Sequence, residues 1–172
     1  MRTLTNQAVG AYGEKVVEAQ LLRRGWTPSN VNAGVKDAAD FDIIAQKGGQ
    51  VALLRVKTCG PGERAFQFHF RPSREIASGK LQKFDFTILV SMGSERAGDE
   101  FFVVPTGILR RQIDAHKTAY LAQPKRIGGQ RKDTGHWTLY LAPLKGSGEA
   151  SGRDFAAKWA AFRDAWGSLE AD

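Results

Sequence analysis

Cysteine is nearly missing from this chain: Cys59 is the only one in 172 residues, so no intramolecular disulfide can form. Long apolar runs are missing too. Stretches such as Thr87-Ile88-Leu89-Val90 fall far short of the roughly 20 residues that span a bilayer, which predicts no membrane segment. The opening Met1-Arg2-Thr3-Leu4-Thr5-Asn6-Gln7 has no stretch resembling a signal h-region, and the expectation is an intracellular, cytoplasmic protein. His69, His116 and His136 have no metal-ligand spacing among themselves and are expected to be structural or surface residues. Cys59 has no evident histidine partner, which argues against a nucleophilic role.

Aromatics, by contrast, are plentiful. Ten Phe, four Trp and three Tyr, with 42% hydrophobic residues, describe one folded unit with a real core rather than a disordered chain or two large domains. The charge balance is 25 Lys+Arg against 18 Asp+Glu, a net of +7 that attracts polyanions such as nucleic acid, although excess cations also serve solubility.

Val9, Val16, Val17, Leu21 and Leu22 recur at helical spacing over about residues 7–24, with Thr5 or Asn6 as N-cap and Gly25 as a left-handed C-terminal cap. Phe41 to Ala45 and Val51 to Lys57 flank Lys47-Gly48-Gly49-Gln50 and predict a β-hairpin. Strands are expected over residues 65–71, 85–91, 100–104 and 137–141, and a helix over about 107–120. The order predicts an α/β (α+β) fold with a mixed central sheet flanked by helices. Residues 1–145 form the main domain, and 146–172 a Gly/Ser-rich linker followed by a helix. That helix would carry Phe155, Trp159, Phe162, Trp166 and Leu169 on one face, packed on the domain or at a homodimer interface.

A two-residue Gly48-Gly49 loop makes cross-strand partners sum to 97, so Asp42 would face Arg55 and Asp40 would face Lys57. These four charges then gather at the hairpin end away from the turn, and the opposite face, from Phe41 to Val56, is wholly apolar. Glu14 lies on the apolar stripe of the first helix and needs a partner, for which the hairpin cations or a metal ion would serve. Two carboxylates and a lysine at a strand end suit metal-assisted phosphodiester hydrolysis: carboxylates hold Mg²⁺, and lysine steadies the nucleophile and the developing charge.

Gly13-Glu14 in an opening helix, then Asp42-Ile43-Ile44-Ala45, Gly48-Gly49 and Leu54-Arg55-Val56-Lys57-Thr58, resembles the PD-(D/E)XK nuclease superfamily with its restriction-endonuclease-like fold. Phe101-Phe102-Val103-Val104-Pro105 and the closing Phe162-Arg163-Asp164-Ala165-Trp166 extend the likeness to small bacterial members and to intron homing endonucleases, over about residues 8–142. The resemblance implies a metal-dependent endonuclease acting on DNA with Mg²⁺ or Mn²⁺. It implies Asp42 as principal metal ligand, Glu14 as the helix carboxylate, the Val56 carbonyl as a further ligand and Lys57 as the motif lysine.

Arg55 departs from the pattern, standing where the superfamily has Glu, Asp or Gln; it has no acceptor atom and cannot coordinate a cation. Two readings stay open. In one, Arg55 turns aside or contacts the scissile phosphate, and Glu14, Asp42 and Asp40 hold a metal. In the other, Arg55 pairs with Asp42 and leaves a catalytically degenerate fold that binds nucleic acid or protein. Arg71, Arg74, Lys125, Arg126, Arg131 and Lys132 are candidate phosphate-backbone contacts, with Arg110 and Arg111 beside them, against the alternative of solvated basic loops.

Overall fold

In the computed structural model, which describes residues 4–31, 41–61, 63, 65–69, 85–94, 97–124, 128–133, 135–140 and 159–170, the chain begins with helix α1 (Asn6–Leu22). The Thr5 hydroxyl accepts the Ala8 N–H at 3.2 Å, satisfying one of the donors that a helix start leaves unpaired. At the other end Gly25 (φ 78°) reverses the chain, with Gly25 N–H donating to Leu22 C=O and Trp26 N–H to Leu21 C=O. This is a Schellman closure, and its apolar contact is made by Leu21 and Trp26, both buried in one cluster.

The strands are β1 (Thr27–Asn30), β2 (Ile43–Lys47), β3 (Gln50–Cys59), β4 (Ala65–His69), β5 (Phe86–Ser91), β6 (Glu100–Pro105) and β7 (His136–Tyr140), with helix α2 (Thr106–Ala122) between the last two. The main sheet runs β1-β2-β3-β5-β6; β3 and β5 are parallel and every other pair is antiparallel. This is the mixed sheet with helices that the sequence predicts. β4 and β7 do not join it and form a separate two-stranded antiparallel sheet.

Strand β1 is absent from the sequence reading because Thr27-Pro28-Ser29-Asn30 has no alternating apolar pattern. It tolerates Pro28 by lying at the sheet edge, where a missing N–H breaks no ladder.

The hydrophobic layers lie on opposite sides of the main sheet. Val17, Leu21 and Trp26 cover Ile43, Ala45, Ala52, Leu54, Ile88 and Val90, the apolar hairpin face expected from the sequence. On the other side Leu109 and Ile113 of α2, with Phe66 and Leu139 of the small sheet, cover Cys59, Leu89, Phe102 and Val104.

From Trp159 onward the described chain is not the continuous aromatic-striped helix expected. It forms 3₁₀ turns at Ala160–Phe162 and Trp166–Glu170, separated by extended Arg163 and by Asp164 at φ 50°. The reason is the destination of the side chains. Trp159 belongs to the α2 layer, whereas Trp166 and Leu169 belong to the α1 layer, so the chain must cross the edge of the sheet between them. It does so by bridging β6, with Arg163 opposite Phe102 and Asp164 N–H donating to Phe101 C=O at 2.9 Å. The linker, Phe155 and the excursion at residues 73–80 lie outside the described residues. Among the described residues no helix is long and apolar enough to cross a membrane.

Candidate active site

Strand β3 outruns its hairpin partner. The β2–β3 ladder holds the expected register from Lys47↔Gln50 to Ile43↔Leu54, and β3 then continues through Arg55–Cys59 paired, among the described strands, with β5. One residue past the ladder the register slips: Asp42 N–H donates to Leu54 C=O at 2.8 Å, so the backbone partner of Asp42 is Leu54 rather than the expected Arg55. The Asp42 carboxylate fills the gap this creates, its Oδ2 accepting the Val56 N–H at 2.7 Å. Because a strand N–H points within the plane of the sheet, this carboxylate stands in the cleft where β2 parts from β3. Asp40 lies outside the described residues.

Along β3, Val56 packs with the α1 layer and Cys59 with the α2 layer. Alternation therefore places half-buried Arg55 and Lys57 on the α2 side. Cys59 itself is buried, and that burial pushes its thiol pKa up, as suits an inert core residue.

Glu14 approaches from the other side. Consecutive α1 residues, pointing about 100° apart, tie the helix to separate elements. The Tyr12 hydroxyl donates to Asp99 Oδ2 at 2.7 Å, reaching the β5–β6 loop, and this hydrogen bond to the carboxylate raises the phenol pKa. Gly13 is buried against β3, and a Cβ there would meet Thr58 Oγ1 at 1.7 Å. Glu14, partly buried, accepts the Asn30 Nδ2–H of β1 through Oε2 at 2.7 Å. The stripe that α1 buries is Val9, Gly13, Val17 and Leu21, so Glu14 flanks it. Its partner among the described residues is an amide, not the hairpin cations expected.

Among the described residues no three His, Cys, Asp or Glu side chains gather as a metal-holding group. A Mg²⁺ ion needs less, because it keeps several waters and is held by one or two carboxylates together with substrate phosphates. The Asp42 carboxylate at the strand parting is a hard oxygen donor of that kind, while Arg55 contributes none. The donor set fits a sparsely held Mg²⁺ or Mn²⁺ and not a closed protein cage.

Of the expected phosphate contacts, Arg71, Arg74, Lys125 and Arg126 lie outside the described residues. Arg131 is engaged within the protein: its guanidinium lies 4.0 Å over the Tyr120 ring, and its Nε–H donates to Pro124 C=O at 3.4 Å. Pro124 in turn bridges to Gln130, and Lys117 pairs with Asp133 at 2.6 Å, so the basic loop is fastened to α2. The Lys117 ammonium holds the Asp133 carboxyl below its ordinary pKa. Lys132 is exposed beside this framework. Asn30, Tyr12 and Asp99 escaped the sequence reading because their roles depend on strand β1 and a loop that have no periodic signature.

This architecture has solved counterparts. The bacterial homing endonuclease I-Ssp6803I superposes with a TM-score of 0.51 at 15% identity, over 97% of this chain and 92% of that one. Hjc, a Holliday junction resolvase from the archaeal hyperthermophile Archaeoglobus fulgidus, matches with a TM-score of 0.39 at 14% identity, over 58% of this chain and 74% of that one. The first of these likenesses shows the fold: the chain shares the fold of that homing endonuclease. No protein-family model and no curated protein matches it.

Proposed function

We propose that this chain is a cytoplasmic, metal-dependent nuclease that hydrolyses DNA phosphodiester bonds at a PD-(D/E)XK-like site. The observation that carries the reading is Asp42, whose carboxylate sits on the Val56 N–H where β2 leaves β3, one residue before Lys57. Asp42 and Glu14, with the Val56 carbonyl, are the residues that would hold Mg²⁺ or Mn²⁺. Such an ion supplies Lewis acidity at the phosphoryl oxygen and a bound water of lowered pKa. Lys57 places its ammonium beside the attacking water and the charge that develops on the phosphorane. Exposed Lys132 and the fastened basic loop draw the phosphate backbone, and a homodimer would give each strand of a duplex its own site.

Arg55 favours a second reading, a degenerate site that binds nucleic acid without cutting it. The two separate on cleavage of supercoiled and single-stranded DNA with Mg²⁺ or Mn²⁺, comparing the wild type with Asp42→Ala. Cutting that disappears in Asp42→Ala supports the nuclease. Salt-sensitive binding without cutting in either protein supports the second reading, and Arg55→Gln should then create activity.

A further inference from the structure

The Asn30 side chain gathers two carboxylates of α1 onto one nitrogen. Its Nδ2 donates to Glu14 Oε2 at 2.7 Å and to Glu18 Oε1 at 3.1 Å, both partly buried bonds between β1 and the helix. The amide orientation follows from this arrangement, because carboxylates only accept and the flipped amide would set its oxygen against both. The two acids differ in what remains to them. Glu18 is neutralised by Lys15, whose Nζ lies 3.1 Å from Oε1 and 3.0 Å from Oε2. Among the described residues Glu14 has no cation and its Oε1 has no hydrogen-bond partner. One amide thus anchors a spent carboxylate and an available one.

We infer that Asn30 is a positioning residue for Glu14, holding Oε2 so that Oε1 is presented to a divalent cation, an inference that rests on the nuclease reading above. The chemistry is that of outer-shell groups in metal sites: a donor to one carboxylate oxygen fixes the rotamer and leaves the other oxygen to the metal. Gly13, pressed on Thr58 beside Lys57, holds the backbone that carries Glu14 close against β3.

The test is Mn²⁺ affinity of the full chain by titration calorimetry, with no turnover required. Asn30→Ala should weaken Mn²⁺ binding about 10- to 100-fold, and should add nothing in a Glu14→Gln background. Asn30→Asp, which sets a third carboxylate against the other two, should misplace Glu14 further. If Asp42→Ala abolishes binding but Asn30→Ala leaves it unchanged, the inference about Asn30 is overturned and the nuclease reading stands. Equal weakening by Asn30→Ala with and without Glu14 overturns it as well, because the effect then travels through the fold. No Mn²⁺ binding by the wild type, or binding indifferent to Asp42, overturns both.

Discussion

Gly13 and Thr58 are packed with no room between them: a Cβ on Gly13 would lie 1.7 Å from Thr58 Oγ1 and 2.9 Å from Thr58 Cβ. Gly13→Ala would gain about 1 kcal/mol of helix propensity. Overpacking, about 1–3 kcal/mol, opposes that gain and is the larger effect here because the obstruction includes a strand Cβ. We expect net destabilisation by urea unfolding. Adding Thr58→Ala should recover part of the loss, since Thr58 Cβ remains. Alone, Thr58→Ala should be neutral or mildly stabilising, because the Thr58 hydroxyl is buried without a hydrogen-bond partner among the described residues.

Asp42 has a structural duty separable from chemistry. Asp42→Ala leaves the Val56 N–H without its acceptor, at a cost of about 1.5–3 kcal/mol. Asp42→Asn keeps a carbonyl oxygen for that N–H and removes the negative charge. The expected result is near-native stability for Asp42→Asn, a lower unfolding midpoint for Asp42→Ala, and loss of cleavage in both. Full cleavage by Asp42→Asn would contradict the assignment.

Asp133 makes the basic loop acid-sensitive. Its folded pKa is lowered, chiefly by the hydrogen bond from Lys117 and then by the Gly135 N–H. A depressed carboxyl stabilises the fold above the unfolded pKa of about 3.9 and loses that contribution as pH falls through the lower folded value. Protection against amide exchange in residues 128–133, relative to the intrinsic rate at each pH, should therefore fall on acidification below about pH 4. Asp133→Asn should show the lower protection already at neutral pH, and should converge with the wild type in acid.

Arg131 and Lys132 are neighbours with different expected phenotypes. Lys132→Ala should weaken DNA binding evenly across sequences and lower the salt slope by about one, as for a single phosphate contact. Arg131→Ala removes the stack on Tyr120 and the bond to Pro124, so it should loosen the loop as well as weaken binding. Arg131→Lys should not restore the loop, because an ammonium lacks the planar face that stacks on the ring. Exchange rates beside salt-dependent affinities distinguish the two.

The hairpin was legible because its signals are local. Gly48-Gly49 sets the turn, and period-two burial of Ile43, Ala45, Ala52 and Leu54 sets the face. The position of Asp42 was legible to within one residue; the slip lies at the ladder end, where β3 runs on beyond β2, and no local pattern encodes it. Glu14 stood out as a carboxylate on an apolar stripe, which in the structure it flanks, and its partner Asn30 lies on an edge strand of small polar residues and turn formers. The C-terminal stripe misled because a helical period from Trp159 to Trp166 is also compatible with a chain that delivers its aromatics to opposite sides of a sheet.

That crossing bears on how the protein is made. Phe101 meets Trp166 on one side of β6, at 5.6 Å between ring centroids, and Phe102 lies with Trp159 on the other. Neither layer is complete until residues 159–169 have left the ribosome. A nascent chain that has already paired β5 with β6 would carry bare aromatic surface on both sides and an unbridged β6 edge. Docking of residues 159–169 closes all three together, so the two layers are completed in one step and not independently of each other.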